Sequence, residues 1–366
     1  VPVLFYFISL AVLFILFYYL DKIFKFTANV EDARFTQLDG LRAFLALSVV
    51  YHHSIIAYSY FITGEWVSPQ NDFYAILGPI SVTMFFMITG FLFGFKLFKD
   101  EFNIKYFIGS RLRRIVPLYL FSVFLLVFIV FYINDFILKE DLLSLTENIL
   151  RWASFKFAHF VPINQDPRVF EIQSVYWTLK WEWKFYIALP FLFLLRKKFF
   201  QDKNILFISV LLVIFFFYKY IFVFLFLLGV LASVLYIEKV YINKIILNTL
   251  GIISIILIFS FYNTVYLKIP SILTAIFFYS IVLSNNFGYI LNRKIFRYFG
   301  TISYSIYLLH NMVVFIVFYL INIYYKSITN INIIEYEIIV FIIVVMTSII
   351  SMFTYKFIEH KFYKRG

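Results

Sequence analysis

The stretch "QLDGLRAFLALSVVYHHS", Gln37 to Ser54, has the apolar density of a membrane helix yet carries Asp39, Arg42 and a His52-His53 pair. Ionisable groups are expensive inside a bilayer, and where a span keeps them they point to function by default. Helix geometry sorts them. Arg42 and His53 are eleven residues apart, a rise of about 16 Å, or half the roughly 30 Å hydrocarbon thickness. Eleven steps of 100° return His53 to within about 20° of the Arg42 direction, while Asp39 falls about 40° from that face and His52 about 100° away. An Asp–Arg pair at the mouth of a span, with an imidazole halfway through, describes a polar route inward from one membrane face. The competing reading makes Arg42 an interface anchor and His53 a helix-to-helix hydrogen bonder; this stretch by itself leaves both open.

The rest of the chain has the same character. It is 63% hydrophobic and 14% charged, whereas soluble domains are about half apolar and about a quarter charged. The 366 residues therefore read as one all-α polytopic bundle rather than as two or three soluble domains. Candidate spans are Val3–Leu20, Leu41–Ile62, Phe73–Phe98, Ile115–Ile133, Trp177–Leu195, Ile205–Phe217, Ile221–Tyr236, Ile245–Tyr262, Ser271–Ser284, Ser303–Ile321 and Ile338–Tyr355, with the boundary near Tyr218–Tyr220 the least defined. No basic residues precede the first span and no small-residue cleavage site follows it, so it reads as a retained helix, with the true start left open by the missing Met.

Charge gives an orientation. With the Asp21–Gln37 loop cytoplasmic, 23 of the 32 Lys and Arg fall on inside segments, a positive-inside asymmetry that predicts the N-terminus outside and the C-terminus in the cytoplasm. It also accounts for the net charge of +12 without nucleic acid. Cys is absent, which excludes disulfides, thiolate metal sites, palmitoylation and a thioester-forming nucleophile. The His-His pair is no metal motif, because adjacent helical residues diverge and no HExxH accompanies them. One loop is long, Asn134 to Val175 on the outer side. Within it Leu142, Leu145, Ile149 and Trp152 recur at helical spacing among charges, which predicts an amphipathic helix on the outer surface.

Several blocks together carry a family resemblance. "LDGLRAFLALSVVYHH" resembles the opening of the acyltransferase 3 family of integral membrane acyltransferases, an Arg followed after ten residues by a His. "MFFMITGFLFG" (Met84–Gly94), "SRLRRIVPLY" (Ser110–Tyr119), "YWTLKWEWKFY" (Tyr176–Tyr186) and "GTISYSIYLLH" (Gly300–His310) resemble further blocks of that family, in its order. Residues 37–366 then form the acyltransferase domain, with residues 1–36 an extra N-terminal span and linker. The resemblance implies a ten-helix core that takes acyl groups from cytoplasmic acyl-CoA to acceptors, often cell-surface glycans, with Arg42 and His53 as its catalytic Arg and His. It departs at Thr89, where Ser is usual, at Lys180 and Lys184 around Glu182, and at His360-Lys361, where Arg-Pro is typical. No hydrolase domain of the SGNH type is expected after the bundle.

Acyl transfer to a hydroxyl needs a base, a stabilised oxyanion and a grip on the CoA phosphates. His53 is the candidate base, with a transient acyl-imidazole as the variant mechanism. Arg42, Arg111 and Arg114 are candidate CoA ligands, since guanidiniums bind phosphate bidentately; on charge alone the Arg111–Arg114 cluster reads as ordinary anchoring, and Arg113 stays an anchor. Glu182, between Trp181 and Trp183, is placed to bind a sugar hydroxyl or orient a histidine, against the bland reading of an interfacial carboxylate neutralised by a lysine. Ser303, Tyr307 and His310 share one helix face, available for chemistry or for helix-to-helix bonding. Asp39, Thr89 and Tyr119 are candidate positioning or oxyanion donors, Gly90 and Gly94 a close helix contact, and His159 and His360 surface residues. The expected reaction is O-acetylation, with acetyl-CoA as co-substrate, no tightly bound cofactor and no metal. The acceptor would be an envelope polysaccharide or its lipid-linked precursor, at a bacterial inner membrane; a homo-oligomer is left open. The rivals are a transporter or flippase, against which stand the lack of an internal repeat and Glu182 as the sole acid well inside a span, and a same-family enzyme with another acceptor.

Overall fold

The computed structural model describes residues 2–29, 34–70, 73–99, 101–155, 157–199, 205–217, 220–285 and 287–363. The described residues are 81% helical, with no strand among them. Its helices are α1 (Pro2–Phe24), α2 (Thr36–Thr63), α3 (Phe73–Phe98), α4 (Ile104–Tyr132), α5 (Leu142–Ala153), α6 (Val169–Ile172), α7 (Trp177–Phe199), α8 (Ile205–Phe217), α9 (Ile221–Ile237), α10 (Lys244–Phe261), α11 (Lys268–Ser284), α12 (Gly288–Leu291), α13 (Lys294–Thr301), α14 (Ser303–Tyr324) and α15 (Ile333–Thr354). Seven of them (α1 to α4, α10, α14 and α15 with its continuation) are long and apolar enough to cross a membrane. The protein is an all-α polytopic integral membrane protein. Each of the eleven expected spans has its helix, and the uncertain boundary at Tyr218, like Lys156, Lys203, Lys219, Lys364 and Arg365 of the charge count, lies outside the described residues.

Three expectations about helix limits and acids change. α4 starts at Ile104, where the Asn103 side chain caps it by accepting the Tyr106 N–H at 3.0 Å. Arg111, Arg113 and Arg114 therefore sit two to three turns inside a helix instead of ahead of it; long basic side chains let a helix begin in the interface without stranding their charges. α15 runs on through a π-helical turn, Tyr355–Glu359, into His360–Tyr363. His360 is consequently half-buried beside the Tyr355 ring rather than on a surface tail. Glu182 is also not the sole acid within a span: Glu337 and Glu359 are 2% and 3% exposed. Each is tolerated because a hydroxyl donates to it, Tyr74 to Glu337 at 2.8 Å and Ser305 to Glu359.

α2 is the central element, packed against α3, α13, α14 and α15. Its first turns are clamped by backbone: a Cβ at Gly40 would lie 2.0 Å from the Leu291 carbonyl oxygen, and one at Gly300 would lie 1.8 Å from that of Asp39. Only glycine permits such approaches. Gly90 and Gly94 do seat α9, against the Phe226 backbone and Ser233 respectively. α1 joins the core through Tyr6, Leu10, Leu13, Phe14 and Phe17, with Tyr6 bonded to Ser48 at 2.7 Å and Ser9 to Tyr51 at 2.5 Å.

The long loop between α4 and α7 is ordered by polar contacts and an aromatic latch. The Tyr119 hydroxyl donates to the Trp152 carbonyl at 2.5 Å, and the Trp152 indole donates to Val161 O at 2.8 Å. This holds the amphipathic α5, capped by Asp141, against α4. Leu145, Ile149 and Trp152 face that contact, whereas Leu142 stays exposed. At the loop's base Asp166 accepts from Asn134 at 2.5 Å and from Arg168 at 2.6 Å, and Lys139 donates to Asn134 at 2.6 Å. Burial pushes the Asp166 carboxyl up, but its bonds from Arg168 and Asn134 outweigh this and hold it below its ordinary 3.8. A depressed carboxyl stabilises above its ordinary value and loses that contribution as pH falls through its folded value. Hydrogen exchange of the loop should therefore stay slow down to about pH 4 and accelerate below it, and Asp166→Asn should give fast exchange at pH 7; protection unchanged by either would contradict this account.

Candidate active site

Helix register brings two distant histidines together. α2 and α14 run parallel, because Asp39 meets Gly300 near one end and His53 meets His310 further along both chains. His310 Nε2 is 3.0 Å from His53 Nδ1, across 257 residues of sequence. The bond pattern assigns the tautomers. His310 Nδ1 faces the Ile306 carbonyl at 3.1 Å and His53 Nδ1 faces the Val49 carbonyl at 3.2 Å. A carbonyl only accepts, so both Nδ1 atoms carry hydrogen. The one hydrogen on His53 Nδ1 is then shared between the Val49 carbonyl and the lone pair of His310 Nε2, which leaves His53 Nε2 unprotonated and available as a base. His310 is fully buried and His53 half-buried.

His52 is engaged elsewhere, as the 100° step predicts. Its Nδ1 lies 3.3 Å from the Tyr74 carbonyl, and its ring fills the space left by Gly78, where a Cβ would come within 2.2 Å.

On the same face as His53, toward the start of α2, the cations gather. Arg42 pairs with Asp39 at 3.4 Å. Arg111 and Arg114 from α4 and the Tyr186 hydroxyl from α7 lie close enough to interact electrostatically with Arg42. The Arg111 guanidinium sits over the Phe93 ring at 5.2 Å and the Tyr186 ring at 6.0 Å, and its buried Nε has no hydrogen-bond partner. Tyr186 donates to Glu182 one turn away. Lys96 and Glu359 flank the group, within electrostatic reach of Arg111 and Arg114 respectively. Lys184 lies exposed over the Trp181 ring, away from Glu182.

The remaining sequence candidates divide. Tyr307 joins the site: its hydroxyl bonds to Thr178 at 2.7 Å and its ring lies 5.9 Å from that of His310. Ser303 is buried at the first turn of α14, and Thr89 is buried on α3 beside Gly90; neither bonds to the histidine pair. Tyr119 is committed to Trp152. Tyr186 and Glu359 are residues that sequence reasoning passed over. The i, i+4 spacing of Glu182 and Tyr186 was a readable signal, whereas Glu359 lay beyond the expected end of its span.

Comparison with known proteins now bears on this arrangement. The family model described as an acyltransferase domain matches residues 35–356. The chain belongs to the acyltransferase 3 family. Proteins named "Putative O-acetyltransferase" from Staphylococcus aureus strains COL, MSSA476 and N315 are each 25% identical over 393 aligned residues, covering 95% of this chain. The chain spans about 60% of the length of those relatives. No solved structure matches it.

The tautomers can be read directly. In protein labelled with 15N-histidine, both His53 and His310 should give the shift pattern of an Nδ1–H ring, and His310→Leu should move the His53 Nδ1 resonance while leaving that of His52 in place. An Nε2–H pattern for His53 would contradict the assignment.

Proposed function

We propose that this acyltransferase 3 protein is a membrane O-acyltransferase that moves an acyl group, acetyl in the simplest case, from acyl-CoA to a hydroxyl of an envelope saccharide or its lipid-linked precursor. The observation that carries the reading is the His53–His310 pair, with His53 Nε2 left as a lone pair on the face that also bears Arg42. His53 takes the proton of the acceptor hydroxyl as its oxygen attacks the thioester carbonyl. The tetrahedral intermediate collapses with cleavage of the C–S bond, and the proton on His53 Nε2 passes to the departing CoA thiolate. His310 acts as a positioning residue: by accepting from His53 Nδ1–H it fixes the tautomer and shares the charge of the imidazolium that forms.

The donor fits the other end of the face. Arg42, Arg111 and Arg114 supply a cationic group with an unused Arg111 Nε–H, the chemistry that phosphates require. About 16 Å of helix rise separates Arg42 from His53, which suits a donor whose activated group ends a long arm anchored by phosphates. In this reading the basic end faces the cytoplasm and the α5 loop faces outward, in agreement with the charge asymmetry of the loops. Thr89, Ser303 and Tyr119 receive no chemical role. A transporter is the second reading, favoured by the buried carboxylates Glu337 and Glu359, but the hydroxyls that bond to them give each a structural occupation.

With purified protein and radiolabelled acetyl-CoA, His53→Ala should abolish turnover while His52→Ala changes it only a few-fold. Equal losses would undo the separation of the two rings, and absence of any acyl-CoA turnover by the wild type would favour transport. His310→Leu should cost about 10²- to 10⁴-fold, the usual span of assisted proton transfer. His310→Gln keeps an acceptor for His53 Nδ1–H and should recover part of that loss. Separately, Arg111→Ala with Arg114→Ala should raise the KM for acetyl-CoA at least tenfold and reduce the preference for it over acetyl-3′-dephospho-CoA; a preserved preference would remove the 3′-phosphate from this cluster.

A further inference from the structure

The segment that enters α7 lies along α14 at the level of the histidine pair and leaves a set of oxygens unused. Asn311 Nδ2 donates to the Glu171 carbonyl at 2.7 Å, and Gln173 Nε2 donates to the Leu308 carbonyl at 2.9 Å. These bonds orient both amides, since a flip would set oxygen against oxygen. The consequence is that Asn311 Oδ1 and Gln173 Oε1 are buried without a hydrogen-bond partner, and so are Glu171 Oε2 and Ser174 Oγ from the same short segment. Asn311 and Gln173 are themselves 0% and 2% exposed. Buried polar atoms are almost always satisfied, and each exception calls for a reason.

The chemistry of the four atoms defines what satisfies them. Three are pure acceptors and the fourth is a hydroxyl, so the missing partner is a donor with several O–H groups. Glu171 and Asp166 lie within electrostatic reach of each other, and the nearby Arg168 is already paired with Asp166 at 2.6 Å, which disfavours a phosphate or another anion and separates this cluster from the arginines at the other end. Tyr60 lies within electrostatic reach of Glu171, and its ring is 5.6 Å from that of Trp66 and 6.2 Å from that of Phe315. Aromatic faces near acceptors of one short segment suit a ligand with an apolar C–H face and a hydroxylated rim. Position adds to the case: Asn311 lies one step beyond His310 on α14, turned about 100° from it, and its bond to the Glu171 carbonyl brings the segment to the level of the histidine pair.

We propose that Glu171, Gln173, Ser174 and Asn311 form the acceptor subsite of this chain, holding the hydroxyl groups of a saccharide beside the histidine pair. The inference rests on the acyltransferase reading and deepens it, assigning the alcohol substrate to a place distinct from the arginine cluster.

The orphan atoms make the test clean, because removing an unsatisfied polar atom leaves a fold as stable or more so. The double variant Glu171→Met, Ser174→Ala, which replaces both orphan groups with apolar ones, would be compared with wild type in nanodiscs, using radiolabelled acetyl-CoA as donor and either N,N′-diacetylchitobiose or glycerol as acceptor. The expected result is an unchanged or higher Tm, a KM for the disaccharide raised at least tenfold, and a KM for acetyl-CoA that does not move. An unchanged KM for the disaccharide, as when the orphan atoms merely hold water, would overturn the subsite. So would a lower Tm with both KM values shifted, or a wild type that transfers to glycerol as readily as to the disaccharide. A wild type that leaves acetyl-CoA intact with both acceptors would overturn the acyltransferase reading itself, and the subsite with it.

Discussion

Two imidazoles hydrogen-bonded in the middle of a helical membrane bundle require two helices held at one separation and in one register. Here that constraint is met by backbone rather than by side chains. Gly40 lets α2 press on the Leu291 carbonyl, and Gly300 lets α13, which leads into α14, press on the Asp39 carbonyl. Ten residues beyond Gly300 and fourteen beyond Asp39 the rings meet. In a bilayer the apolar effect does little to press helices together, so close backbone contact at small residues carries much of the association. Bulk at either glycine would move both imidazoles as one.

The same contact settles a problem of solvation. Each histidine sets its Nδ1–H against a carbonyl one turn behind it on its own helix, and His53 shares that one hydrogen with His310 Nε2. Of the four ring nitrogens of the pair, His53 Nε2 is the one that enters none of these bonds.

α14 orders the rest of the site along its length. Tyr304 donates to the Ile115 carbonyl, one residue beyond Arg114, at 3.0 Å. Tyr307 follows with Thr178, then His310 with His53, then Asn311 with the Glu171 carbonyl. Cations lie toward the start of this series and unpaired oxygens toward its end, with the histidines between. The long loop belongs to this arrangement because the Tyr119–Trp152 latch and the Asp166 network hold in place the segment that runs beside α14. Tyr119, a candidate for chemistry by its motif, contributes here by fixing that loop.

What could be read from the sequence was whatever a single helix decides. Span positions follow from apolar length, the shared face of Arg42 and His53 from eleven residues of helix, and the divergence of His52 from one step. The resemblance to the family came from ordered blocks and was matched by the comparison. Partnerships between helices were not legible. Nothing near residue 53 marks residue 310 as its partner, and nothing in "FIEHKF" announces that a π turn carries Glu359 back into the bundle against Ser305. The reason is physical: in a membrane helix both the lipid-facing and the protein-facing sides are apolar, so hydrophobic periodicity does not say which side turns inward. Local geometry determined which residues share a face. Only the packing of the whole bundle decided which faces meet, and with that which imidazole nitrogen is left free.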